Sequence, residues 1–348
     1  MKILIVAGVD LTLPGGLETH VLQLSRGLAA RGHDVEVQAR ASGSIPIAGP
    51  APRLVERADP TRYEIVHHHG GEWPRGWDVG PRYLRTFHFC VAAKMAVYLR
   101  MGRLRTLFHP GNHRALADER GALKRGARHI AVSRSLREEL VRFHGAARGA
   151  IEVIPNGAAF DPPRLGRTGW RERHAIPADV PVLLTIGRDD YVKGFDLLDR
   201  AWTLAARLPR PRPTEAIWVR VGGTRPGREG TRITTGPIAA ADVAEWIGAA
   251  DVGAFPSYYE GGGIALTDML AGGLYALTHA VGVAPEAIRR GENGEFVPRR
   301  PEAWAEALAR TLTSPPRRAE PGLPADWSWD RMAARVEAVY QDLRGGSA

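Results

Sequence analysis

Short, unbroken apolar runs alternate with amphipathic helical ones along this chain, and midway the pattern starts again. Residues 3–7 (Ile-Leu-Ile-Val-Ala) are a continuous apolar run of the kind buried on both faces of a parallel sheet. Leu17, Val21, Leu24 and Leu28 then fall on one helical face, closed by Gly32. Further strands are expected at 35–37, 65–66, 83–87 and 129–132, with a last strand and turn at 151–157. Such alternation predicts parallel sheets covered by helices, an α/β fold. Residues 161–179 are rich in proline and arginine without clear period, and read as an interdomain linker. The pattern restarts at 182–186, then a helix through Leu197, Leu198, Ala201 and Leu204. Strands at 217–221, 231–235 and 251–255 and a helix at 241–249 follow. Only a short polar link joins 223 to 231, too short for a covering helix. Helices at 301–312 and 329–343 close the chain.

The 348 residues suffice for two domains, each with its own core. We expect 1–160 to form the first, 161–325 the second and 326–348 a terminal helix. No apolar run reaches the roughly 20 residues that span a bilayer, and the N-terminal run is too short for a signal-peptide core. One cysteine, Cys90, excludes an internal disulfide and fits a reducing cytoplasm. Its apolar neighbours make it a structural thiol rather than a nucleophile.

The net charge of +9 comes mostly from arginine and is concentrated locally. Between 98 and 128 stand Arg100, Arg103, Arg105, Arg114, Arg120, Lys124, Arg125 and Arg128, against Asp118 and Glu119. No recognition helix, zinc knuckle or stacking-aromatic motif accompanies that charge, which argues against nucleic acid. An anionic acceptor or a peripheral contact of the basic 94–128 region with an acidic membrane face fits better. Over 89–108 the apolar stripe reads first as core, with an interfacial surface as the second reading.

The most informative segment is Pro-Ser-Tyr-Tyr-Glu-Gly-Gly-Gly-Ile at 256–264, with Asp268 eight residues past Glu260. It leaves a strand-like run and enters a helix-like one at 264–271. Gly261, Gly262 and Gly263 remove the side chains that would keep a ligand off the backbone. They do so at a helix N-terminus, where unpaired N–H groups and the helix dipole favour phosphate. Glu260 cannot hold phosphate and is suited to sugar hydroxyls. Phosphate beside a polyol is the chemistry of a nucleotide-sugar. Gly187-Arg188 ends the strand at 182–186 and Lys193-Gly194 opens the next helix, so two cations stand ready to grip a diphosphate.

With the following Met-Leu-Ala-Gly-Gly (269–273), Val-Gly-Val-Ala-Pro-Glu-Ala-Ile (281–288) and Gly-Glu-Asn-Gly-Glu-Phe-Val (291–297), this segment resembles the donor-binding region of the family-4 retaining glycosyltransferases. Their hallmark is two glutamates separated by seven residues; here the second is Asp268, one methylene shorter. The resemblance implies a GT-B architecture, two Rossmann-like domains facing across a cleft, with the last helix crossing back to the first domain. It implies UDP or GDP as the donor nucleotide and no cofactor. Arg188 and Lys193 would stabilise the leaving diphosphate, and Glu260 would bind the sugar. Gly262, Gly263 and Ile264 would supply N–H groups, Asp268 would hold the ribose and backbone near Ile238 the base. His88 matches a histidine that touches the sugar near its reacting carbon, and the Gly15-Gly16 loop would line the cleft and bring backbone N–H groups to the donor phosphate and the acceptor. The acceptor itself, a small molecule, glycan or lipid-linked hydroxyl, is left open. A nucleotide-sugar 2-epimerase and a silent nucleotide-sugar binding protein are the alternatives on this architecture.

Metal is not expected. His67-His68-His69 lie on one strand, so only His67 and His69 share a face, and spacing offers no further ligands. There is also no Asp-x-Asp pair to carry a cation to a diphosphate.

Overall fold

The computed structural model describes residues 1–42, 52–158, 163–208, 215–320, 322–324 and 326–345. In chain order the first half contains β1 (Lys2–Asp10), α1 (Gly16–Ala30), β2 (Asp34–Arg40), β3 (Arg53–Leu54), β4 (Ile65–His68), β5 (Tyr83–Phe87), α2 (Val91–Arg100), α3 (Leu104–Leu107), α4 (Pro110–Arg125), β6 (His129–Ala131), α5 (Arg134–His144) and β7 (Ile151–Val153). The second contains α6 (Gly166–Arg173), β8 (Val182–Ile186), α7 (Phe195–Ala205), β9 (Ile217–Glu229), β10 (Arg232–Gly236), α8 (Ala240–Ala249), β11 (Val252–Phe255), α9 (Ile264–Ala271), β12 (Tyr275–Thr278), α10 (Ala284–Ala287), β13 (Gly294–Phe296) and α11 (Pro301–Thr313). The chain ends in α12 (Trp329–Gly345). Two compact units result, 1–157 with 326–348, and 158–325.

Unit 1 is a seven-stranded parallel sheet ordered β3-β2-β1-β4-β5-β6-β7. Ile3 and Ile5 on β1, Val21, Leu24 and Leu28 on α1, and Met332, Ala333, Val336 and Tyr340 on α12 share one core. The terminal helix thus covers unit 1, with Ala333 packed so close to Gly27 that a side chain there would collide. Unit 2 is a six-stranded sheet ordered β10-β9-β8-β11-β12-β13. In both sheets the strand order reverses beside the first strand, between β1 and β4 and between β8 and β11. In open α/β sheets ligands bind outside the carboxyl ends of the strands at such a reversal.

Two expectations are corrected. The supposed linker at 161–179 contains α6; residues 161 and 162 lie outside the described residues. Its period was hidden because its buried positions include a charge. Trp170 packs edge-on against Trp246, and Arg171 donates to the carbonyls of Ala249, Ala178 and Val180 (2.9 Å each) and to Asp251 (2.7 Å). Between 223 and 231 there is no covering helix, but the link is not plain loop either. The chain doubles back, so β10 pairs in parallel register with 218–222 and in antiparallel register with 227–229. Gly222 and Gly223, both at positive φ, make the reversal.

Candidate functional site

Two loops of unit 2 leave adjacent strands at the reversal point, one after β8 and one after β11. They are joined backbone to backbone: Tyr258 N–H donates to the Val192 carbonyl (2.7 Å). Gly194, at φ 69°, lies against the Pro256 carbonyl, where any side chain would collide. This close approach delivers Lys193 to Glu260. The ammonium lies 2.6 Å from Glu260 Oε1, and Ser257 Oγ donates to the same oxygen (2.8 Å). On the far side Val283 N–H donates to the Gly262 carbonyl (2.9 Å). Gly282, at φ 54°, fits against Gly262 and Glu260 only because it lacks a side chain.

Gly263, at φ 127°, caps α9, and its carbonyl accepts from Leu266 and Thr267 (2.9 and 3.1 Å). The N–H groups of Gly262, Gly263 and Ile264 donate to no other group among the described residues. They are the orphan donors of a helix start, and they stand beside the Lys193–Glu260 pair. Asp268 follows one turn into α9 and is partly buried. Gly187 ends β8, its N–H bonded to the Val221 carbonyl (2.9 Å). Arg188 is exposed beyond it, with no side-chain partner among the described residues. Ile238 lies in the loop after β10, at the same end of the sheet. The structure therefore gathers Lys193, Glu260 and the glycine segment into one constellation, and leaves Arg188, Asp268 and Ile238 around it untied to that pair.

In unit 1, Gly15 caps α1, and the Glu18 carboxylate folds back onto it, so this helix start faces its own acid. His88 lies just past β5, its Nε2 3.2 Å from His69 Nδ1. His20, on α1, has its ring centroid 4.6 Å from that of His88 and 5.1 Å from that of His69. His20 Nδ1 donates to Asn156 Oδ1 (2.7 Å), and His67 bridges Tyr340 Oη (2.6 Å) and Thr86 Oγ1 (2.8 Å). Burial pushes the His20 imidazolium down to about 4, against the Asn156 bond, and holds His67, His69 and His88 well below the usual histidine range. All four are neutral at pH 7. Spacing along β4 offered only His67 and His69; His20 and His88 arrive through strand order and helix packing, which no local pattern announces.

A second cluster also escaped the sequence reading. Glu119 on α4 accepts from Val91 N–H at the start of α2 (3.0 and 3.1 Å) and pairs with His144 Nε2 (2.6 Å). Cys90 Sγ lies 3.9 Å from Glu119 and 3.8 Å from His144. Burial first, and Glu119 second, push the thiol up to about 12. That is a structural cysteine tied to a helix cap, without thiolate character.

The 89–108 stripe is core on one face only. Leu99 is 58% and Phe108 75% exposed, and Phe89 and Leu104 are also exposed. Only the Val91, Ala93 and Tyr98 face of α2 is buried, because this helix is covered on one side alone. Arg100, Arg103, Arg105 and Arg114 are exposed around those side chains. Of the two acids nearby, Glu119 is buried and Asp118 is paired with Arg85 (3.1 Å). No helix among the described residues is long and apolar enough to cross a membrane.

Two Rossmann-like α/β units, each with a glycine-bearing strand-to-helix loop at its point of strand reversal, define a GT-B protein. Residues 180–314 match the family model of glycosyl transferases group 1, and residues 42–161 that of glycosyltransferase family 4. The chain belongs to the family-4 glycosyltransferases. It is 29% identical to the D-inositol 3-phosphate glycosyltransferase of Xylanimonas cellulosilytica, over 94% of this chain and 91% of that protein. That alignment runs to 394 positions, longer than this chain, so the relative carries segments missing here. Among solved structures, sucrose-phosphate synthase of Thermosynechococcus elongatus superposes with a TM-score of 0.72 at 21% identity, over 99% of this chain and 100% of that one. HepE of Anabaena, in complex with UDP and glucose, superposes with a TM-score of 0.70 at 15% identity, over 98% of this chain and 99% of that one.

Proposed function

We propose that this glycosyltransferase moves a sugar from a nucleoside diphosphate sugar, with UDP or GDP, to an acceptor hydroxyl with retention of configuration. The observation that carries the reading is the Lys193–Glu260 pair, held beside the unpaired N–H groups of Gly262, Gly263 and Ile264. It sets a cation and a helix start for diphosphate next to a carboxylate for sugar hydroxyls. Arg188 adds the second cation, so the diphosphate needs no metal. Asp268 takes the ribose, backbone near Ile238 the base, and His88 the sugar. That HepE was solved with UDP and glucose supports the donor class.

In the proposed step the acceptor oxygen bonds to the anomeric carbon on the face from which the diphosphate leaves. The bond from that carbon to the phosphate oxygen breaks, and the acceptor proton passes to the departing oxygen. Rate enhancement comes from fixed charge at the leaving group and from alignment of two substrates. Gly15 and Gly16 are assigned to the donor phosphate and the acceptor through their backbone N–H groups, and the exposed basic face at 94–128 to a peripheral contact with an acidic membrane.

A thermal-shift panel of nucleoside diphosphates and nucleotide-sugars identifies the donor, since a ligand of the native state raises the melting point. Product analysis then separates transfer from its alternatives. Turnover of donor alone to an epimer, or binding without turnover with any acceptor, would replace this reading.

A further inference from the structure

We propose that His20, His69 and His88 form a three-imidazole site for a late first-row divalent metal, zinc foremost, within unit 1. One ring nitrogen from each of the three lies within 4.8 Å of the other two. His69 Nδ1 and His88 Nε2 are 3.2 Å apart. Zinc–nitrogen bonds of about 2.0–2.1 Å in a tetrahedron place neighbouring nitrogens about 3.4 Å apart, so that edge is already formed. The His20 nitrogen lies within 4.8 Å of the other two, so a small adjustment of that ring is needed to close the remaining corner.

The third ligand is prepared by its surroundings. Asn156 Oδ1 can only accept, so the His20 proton is fixed on Nδ1 and a lone pair stands on Nε2. That Nε2 is buried and without a hydrogen-bond partner among the described residues, as is His69 Nε2. A carbonyl holding the outer N–H of a ligating imidazole is the usual support of a metal histidine. His69 and His88 share one proton between their facing nitrogens, and ligation moves it to the far nitrogen of the same ring. Three histidines with a fourth position for water is a known zinc ligand set, and imidazole suits zinc, nickel, copper and cobalt far better than magnesium. The ligands come from α1 and from the ends of β4 and β5, the strand-end side where such sheets bind ligands. On the function proposed above, a metal here occupies the imidazole assigned to the sugar, so loading opposes transfer rather than driving it.

The test is direct binding to the full chain after chelator treatment and desalting. Cobalt(II) is titrated while tetrahedral visible absorption is followed, and zinc(II) is titrated by calorimetry, with magnesium as the control. We expect one zinc per chain and no magnesium response. Asn156→Ala should weaken zinc 10–100-fold by releasing the His20 ring, and His20→Gln should remove the cobalt band. Cys90→Ala and His113→Ala should bind as the unaltered chain does, which separates this site from the Cys90–Glu119–His144 cluster and from surface histidines. No binding, or binding lost in Cys90→Ala or His113→Ala, overturns the proposal. So does zinc affinity unchanged in Asn156→Ala, the variant that decides the matter if His20→Gln fails to fold. None of these readouts uses a sugar donor, so failure of the proposed activity leaves the test intact.

Discussion

Lys193 Nζ lies 2.6 Å from Glu260 Oε1, although 67 residues separate them in sequence. The contact exists because Gly194 lets the loop after β8 press against the Pro256 carbonyl. Each partner is partly buried, so each holds the other's charge. A nucleotide-sugar would divide the pair's labour, lysine to phosphate and carboxylate to sugar.

Arg188→Ala and Lys193→Ala should each lower kcat/KM by about 100- to 1,000-fold, the cost of removing one preorganised contact to developing charge. Arg188 is exposed and has no side-chain partner among the described residues, so its variant should melt with the unaltered protein. Lys193→Ala also leaves Glu260 without its cation, and a modest fall in melting temperature should accompany the loss. Steady-state kinetics and thermal melts on both variants check this; unaltered rates would remove the diphosphate assignment.

Transfer should persist in excess EDTA. The expectation rests on the two cations and the helix start proposed to hold the diphosphate, and on the lack of an Asp-x-Asp pair in the sequence. Activity lost on chelation and restored by manganese or magnesium would show that a metal carries the leaving group.

Much of this molecule was legible in its sequence, for a physical reason. Parallel strands buried on both faces read as unbroken apolar runs, and β1, β8 and β11 announced themselves so. The glycine triplet before Ile264 marked the α9 start because only backbone needing open space tolerates three glycines. What escaped was whatever depends on distant residues meeting. Arg171 on α6 looks like a solvated charge until Asp251 and four carbonyls surround it. His20 and His88 are 68 residues apart, and Glu119 and His144 sit on different helices. The 89–108 segment misled in the other direction: its apolar spacing is that of a core helix, and only the missing cover on one side exposes Phe108.

That exposed face should bind anionic vesicles. Each cation near such a surface contributes about 1 kcal/mol, screened within a Debye length, and Leu99, Leu104 and Phe108 add apolar insertion. Sedimentation with phosphatidylglycerol vesicles should pull the protein down at low salt, and phosphatidylcholine vesicles should not. Leu104→Asp with Phe108→Asp should release it without changing the melting temperature, since neither side chain is buried. Equal recovery of both proteins with anionic vesicles would end the assignment.

Acid should destabilise the fold well above the carboxylate range. His20, His129 and His279 are each lowered by burial from 6.5 to about 4. The unfolded chain binds these protons first, so the stability they contribute is complete above about pH 6.5. It is lost as pH falls towards 4, by about 3 kcal/mol apiece at most. His67, His69 and His88 shift in the same direction and lie with His20 and His129 in unit 1. Calorimetry from pH 7.5 to 4.5 should show a falling transition temperature, steeper for unit 1. A transition temperature flat between pH 7 and 5 would mean these imidazoles are hydrated in solution.

The two carboxylates of the donor loop should fail differently when removed. Glu260 stands against Lys193 and Ser257 at the glycine segment, where the sugar of a bound donor is proposed to lie. Asp268 stands one turn further into α9, the position assigned to the ribose. Glu260→Ala should therefore weaken the intact nucleotide-sugar more than free UDP or GDP. Asp268→Ala should weaken both alike, through one charge-assisted hydrogen bond worth about 1.5–3 kcal/mol. Asp268→Glu should be tolerated, since the longer side chain keeps the charge and extends its reach. Calorimetric titration of the three variants with nucleotide and with nucleotide-sugar decides the question. If Glu260→Ala costs free nucleotide as much as donor, the carboxylate serves the diphosphate side through Lys193 alone. The sugar must then be held elsewhere.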